Sequence, residues 1–132
     1  VRDQGAFLDA LLAPQDGFLV LDVHNLHCQI TNFGRAPAER LATYPLHRVR
    51  EVHVSGGSCS FAAGRPFRRD THDGPLPDPV LSLLRLALER CPRVEVVIVE
   101  RLGGTLVSPL DAQRFREDFA AVRAIVEECG HG

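Results

Sequence analysis

Three short apolar runs, set between stretches of helical character, constrain this chain more than any other feature. They are FLVLDV (18–23), VREVHV (49–54) and VEVVIV (94–99). The first follows a Gly and is almost continuously apolar, as a strand buried on both faces reads. The third is the most apolar, and its β-branched content favours strand over helix. Helix candidates occupy the intervals. Residues 4–12 place Phe7, Leu8, Leu11 and Leu12 on one face. Residues 36–44 begin with Pro37 in the first turn and stop at Pro45. A third helix opens with Asp78 as N-cap and Pro79 at its first position, and ends before Pro92. The last, roughly 111–129, carries Phe115, Phe119, Val122 and Val126 on its expected buried face. The order α-β-α-β-α-β-α means parallel strands joined by crossover helices. One stretch breaks the pattern: residues 55–77 form a long loop rich in Gly, Ser, Arg and Pro, and such loops are usually functional.

Composition limits the partners. A chain of 132 residues is one domain at most, and 45% hydrophobic residues argue against disorder. The net charge is −2 and no Lys or Arg stripe forms, so nucleic acid and anionic membrane are poor partners. No apolar run reaches the roughly 18 residues of a membrane span, and VRDQGAF has none of the parts of a signal peptide. Cys28, Cys59, Cys91 and Cys129 are widely spaced without a CxxC, and the expectation is reduced thiols in a cytoplasmic protein. The chain begins at Val1 and contains no Met, which suggests a fragment, a processed product or an excised domain.

In parallel β/α architectures, functional groups collect at the C-terminal ends of the strands. Here those ends read Asp22, then His24 and Asn25; His53; and Glu100. The long loop adds Asp70, His72 and Asp73. Each has a plain structural explanation taken alone. Asp22 suits a cap, His53 a hydrogen-bonded core histidine, Asp70 to Asp73 a solvated turn, and Glu100 a surface pair with Arg101. Taken together they need a separate excuse for every strand end. Three carboxylates converging on one mouth repel, and a cation reverses that cost. Carboxylate, imidazole and amide ligands suit iron or manganese, and the lack of a thiolate cluster argues against structural zinc. Asp70 and His72 are two residues apart, so sharing an ion requires a local turn between them.

The runs LVLDVHN (19–25), REVHVSGG (50–57), RDTHDGPLPDPV (69–80) and VVIVER (96–101) resemble the multinuclear non-heme iron-dependent oxidative enzymes. That family includes the oxygenase of methanobactin biosynthesis and relatives that act on C-terminal cysteines of carrier peptides. The likeness covers nearly the whole chain; DTHD before P-x-P-D-P is its most specific part. It implies iron ligands at Asp22, Asn25, His53, Asp70, His72 and Glu100, and a cluster of two or three irons with dioxygen as co-substrate. No further catalytic residue is assigned. It also implies a TIM-type parallel β/α barrel, with residues 1–132 as its C-terminal part: the last three strands and flanking helices. Further ligands, two His and a Glu, would lie upstream. The implied activity is oxidative modification of cysteine in a ribosomally made precursor peptide, a natural-product biosynthesis in which a small partner protein delivers the peptide. The family reads Asp-Val-Asn-Asn where this chain has Asp-Val-His-Asn, so His24 is not assigned as a ligand. The loop between His53 and Asp70 is shorter than in the oxygenase relatives, which bears on substrate identity.

Two rival readings stand beside this one. A divalent-metal isomerase or phosphoesterase on a similar barrel also uses Glu, Asp and His at strand ends, but would want a catalytic Lys or a phosphate-gripping loop, and no Lys occurs in these motifs. A non-catalytic, truncated barrel piece would instead pair its open strand edges with another chain.

Overall fold

The three apolar runs fold as one parallel sheet. The structure is a computed structural model that describes residues 3–131; Val1, Arg2 and Gly132 lie outside the described residues, and with them the expectation attached to the Val1 start. Strands β1 (Leu19–Asp22), β2 (Val49–Val54) and β5 (Val96–Val99) lie in the order β1-β2-β5. The registers align Asp22 with His53, and His53 with Ile98. The pairing continues past β5, where Glu100 N–H donates to the Val54 carbonyl (2.8 Å). The ligand-bearing ends of all three strands are thereby brought level.

Successive side chains alternate between the two faces of a strand. On one face Leu21, Val52 and Val54 are buried against the helices α2 (Val23–Phe33), α4 (Asp78–Arg90) and α5 (Pro109–Glu128). That core includes Leu26, Val80, Leu84, Ala87, Leu88, Val122 and Ile125. The other face carries Val20 and Asp22, Glu51 and His53, Val96 and Ile98 in alternation, and it is open. Val20 is 50% exposed, Val96 42% and Ile98 37%. Strands β1 and β5 are therefore buried on one face among the described residues, where the run 18–23 was expected to be buried on both. The apolar face of α1 (Gln4–Leu12) is uncovered as well, with Phe7 and Leu11 exposed. In α5 the buried positions are Val122 and Ile125, while Phe119 of the expected face is exposed.

Helix α2 was not foreseen: its stripe of Leu26 and Ile30 is interrupted by His24, Asn25, His27 and Asn32, which dilutes the helical period. The Asp22 side chain caps it, accepting from Asn25 N–H (2.8 Å), and Gly34 ends it in the left-handed conformation (φ 62°). Helix α3 is only Pro37–Leu41. Asp78 is not an N-cap: Pro77 holds that place, with no side-chain cap, and Asp78 is the first helical residue. The long loop contains an antiparallel hairpin of β3 (Cys59–Ala62) and β4 (Arg65–Arg68). Ala63 and Gly64 form its two-residue turn, both at positive φ (50° and 76°), as a type I′ turn requires.

Candidate metal centre

Each strand end contributes to one network. His53 Nδ1 lies 2.9 Å from Glu100 Oε1, and His72 Nδ1 lies 3.1 Å from Glu100 Oε2. His72 Nε2 lies 3.2 Å from Asp70 Oδ1 and 4.0 Å from Asp22 Oδ2. Asn25 Nδ2 donates to Asp70 Oδ2 (3.0 Å). The structure thus brings together Asp22, Asn25, His53, Asp70, His72 and Glu100. Donor atoms of Asp22, His72 and Glu100 fall within 4.8 Å of one another, as do those of His24, Asp70 and His72. His72 belongs to both groups.

The loop reaches the site because two glycines let it pass. A Cβ at Gly56 would come within 1.9 Å of the Pro75 carbonyl oxygen, and one at Gly57 within 2.4 Å of the Arg69 oxygen and 2.5 Å of His24 Cε1. Gly56 and Gly74 form an isolated bridge at this crossing. Thr71 fastens the loop to its own start, where Ser58 N–H donates to Thr71 Oγ1 (3.0 Å) and Thr71 in turn donates to Asp73 Oδ1 (2.7 Å). The turn that Asp70 and His72 require is supplied by His72 itself, at φ 55°, a conformation that costs a non-glycine residue and persists only where its surroundings hold it. Here Leu102 N–H donates to the His72 carbonyl (2.7 Å). Asp73 bonds to Thr71 and takes no part in either group.

The charges are unevenly balanced. Burial holds the Asp22 carboxyl above the usual range, and the Asp70 and Glu100 charges push the same way against the Asn25 N–H bond. Burial would raise Asp70 too, but bonds from Asn25 and His24 outweigh it and the carboxyl sits low. For His53, burial favours the neutral ring, yet the hydrogen bond to Glu51 and the charge of Glu100 raise its pKa overall. Glu100 Oε2 is shut away from solvent without a hydrogen bond of proper geometry, although His72 is near.

Two residues near the site were not assigned to it from the sequence. Glu51 bonds His53 Nε2; its position two before His53 on one strand was the available signal, since i and i+2 share a face. His24, set aside as a replacement, is fully buried, and its Nδ1 lies 2.9 Å from Asp70 Oδ1. Its Nε2 faces Cys28 Sγ at 3.8 Å. Burial pushes the Cys28 thiol up to about 11, which favours the protonated form. All four cysteines are free thiols.

The geometry can be set beside known proteins. A family model described as the RiPP precursor modification enzyme MbnB/TglH/ChrH matches residues 2–124. A UPF0276 protein of Caulobacter vibrioides is 37% identical over 117 residues, covering 89% of this chain and 39% of that protein. A UPF0276 protein of Rhizorhabdus wittichii is 37% identical over 92 residues, covering 70% and 32%. One of Streptomyces avermitilis is 32% identical over 133 residues, covering 96% and 24%. The chain therefore spans between about a quarter and two fifths of the length of these relatives. No helix among the described residues is long and apolar enough to cross a membrane. By the extent of the family match, the chain belongs to the RiPP precursor modification enzyme MbnB/TglH/ChrH family.

Proposed function

We propose that this chain is the ligand-rich, C-terminal part of a parallel β/α barrel in which Asp22, Asn25, His53, Asp70, His72 and Glu100 hold a cluster of two or three iron ions. The whole enzyme uses dioxygen to oxidise a cysteine of a ribosomally made precursor peptide, which a small partner protein delivers. The observation that carries this reading is the convergence of three carboxylates and two imidazoles from every strand end and the long loop. The family description supplies the precursor peptide.

The residues fit iron. Carboxylate and imidazole donors without thiolate suit it. The buried, unbonded Glu100 Oε2 and the raised Asp22 carboxyl are both relieved by a cation. Asn25 is held by two bonds: its amide oxygen accepts from Gln29 Nε2 (2.6 Å) and its nitrogen donates to Asp70 Oδ2 (3.0 Å). To serve as a ligand it would have to turn its oxygen toward the site and give up both bonds. When bound, iron supplies dioxygen activation and Lewis acidity toward the substrate thiolate.

The chain's own residues hold and orient. His53 is gripped between Glu51 and Glu100, which fixes its ring. Asp70 is braced on one oxygen by His24 and on the other by Asn25. The test is coexpression of the full-length protein with its precursor peptide, reading the peptide's cysteine by mass spectrometry. A mass change requiring iron and dioxygen, and lost in His53→Ala, Asp70→Ala and Glu100→Ala proteins that still melt cooperatively, is expected. An unchanged peptide beside iron-loaded protein, or full activity in metal-free protein, would overturn the proposal.

A further inference from the structure

The hairpin between the second strand and Asp70 has one closed edge and one open edge. Asn32 closes the outer side of β4: its Oδ1 accepts from Arg68 N–H and its Nδ2 donates to the Arg68 carbonyl, both at 2.9 Å. Both Arg68 main-chain groups therefore point away from β3, which makes Cys59–Arg68 a non-hydrogen-bonded pair. Alternation makes Phe61–Pro66 another, in keeping with the missing N–H of proline. It follows that Cys59 and Phe61 aim their N–H and C=O groups outward from β3, two residues apart. Among the described residues neither has a main-chain partner on that side. Cys59 is exposed, and Phe61 is 78% exposed.

We propose that the free edge of β3 is where an extended, acidic segment of the precursor peptide docks by strand addition. Three observations select this occupant. Outward main-chain groups at i and i+2 are what a pairing strand needs, and they bind a peptide without demanding its sequence. Charge comes second. Residues 58–69 hold Arg65, Arg68 and Arg69 and no Asp or Glu, in a chain of net charge −2. These arginines lie on or just after β4, one strand in from the free edge; a second copy would bring a second set of the same charges to the hairpin, whereas an acidic segment complements them. Position is the third. β3 starts beside Ser58, which is bonded to Thr71 between Asp70 and His72, so a strand on this edge has one end at the metal centre. That the docked segment belongs to a substrate rests on the function proposed above; the open edge does not.

The experiment uses the full-length protein as purified, its metal content measured alongside, and a fluorescent synthetic peptide of alternating Glu and Val, with a Lys and Val peptide as control, read by anisotropy. Phe61→Pro removes the outward N–H while sparing the hairpin's own ladder, because Phe61 donates nothing across to Pro66. It is expected to weaken acidic-peptide binding by about tenfold or more, with metal content and melting unchanged. Phe61→Val, which keeps the main chain, is expected to stay within about threefold of the parent. Arg65→Glu combined with Arg69→Glu should lose binding as Phe61→Pro does, and the basic peptide should bind the parent about tenfold more weakly. Equal binding by Phe61→Pro, equal binding of both peptides, or a dimer that Phe61→Pro converts to monomer with peptide binding intact overturns the proposal. Acidic-peptide binding that behaves as expected on a protein that holds no iron would sink the proposed function and leave the docking edge standing. Iron-loaded protein with Phe61→Pro binding unchanged would do the reverse.

Discussion

His72 shows how single residues decide this site. It stands in a left-handed conformation, belongs to both donor groups, and is tied by its carbonyl to Leu102. Its type was legible in the sequence, but its backbone was not, because nothing in DTHD announces a positive φ at a histidine. Gly56 and Gly57 are similar cases: their need for a missing Cβ arises only when Pro75, Arg69 and His24 arrive from far along the chain. Gly56→Ala is accordingly expected to cost roughly 1–3 kcal/mol or more, measured by denaturant unfolding of the full-length protein. Loss of stability below about 0.5 kcal/mol would show that the loop does not cross there. Glu51 is expected to act on metal through His53. Glu51→Ala should lower metal affinity by roughly 10–100-fold with the melting temperature little changed, read by competition with a chelator of known affinity. Unaltered affinity would reduce Glu51 to a surface carboxylate.

At the scale of elements, the sequence exposed whatever had a clean period and hid whatever did not. Strand β2 falls on residues 49–54 as expected, and α4 ends at Arg90 before Pro92. Helix α2 was obscured because its inward face serves the site as well as the core: His24 and His27 are buried where aliphatic residues would have marked a stripe. The hairpin was obscured by its turn. Ala63 occupies a positive-φ position where Asn or Gly is the usual sign. Replacing Ala63 by Gly or Asn should therefore stabilise the hairpin by about 1 kcal/mol, visible as slower hydrogen exchange at Ser60 and Phe67. Faster exchange would show that Ala63 does not hold the left-handed turn. Leu84, fully buried on α4 in the core, is expected to cost about 2–5 kcal/mol on truncation to Ala. A smaller loss would place it outside the core.

For the whole molecule, the open sheet face and the two edge strands matter most. Phe18, Val20, Val96 and Ile98 are exposed on or beside the face that also carries Asp22, His53 and Glu100. A barrel would turn that face inward, burying the valines below and gathering the ligands at the mouth. Residues 1–132 alone are therefore expected to self-associate and hold iron weakly, and the full-length protein to bind it tightly. Sedimentation equilibrium with a metal titration on both forms checks this, and a monomeric, tightly loaded short chain would contradict it. The most direct measurement for the account as a whole is the metal content of the full-length protein, purified without added metal and counted per chain by elemental analysis. Two or three iron ions per chain are expected, falling when His53, Asp70 or Glu100 is changed to Ala. Stoichiometric zinc or magnesium in place of iron, or iron content indifferent to those three substitutions, would contradict it.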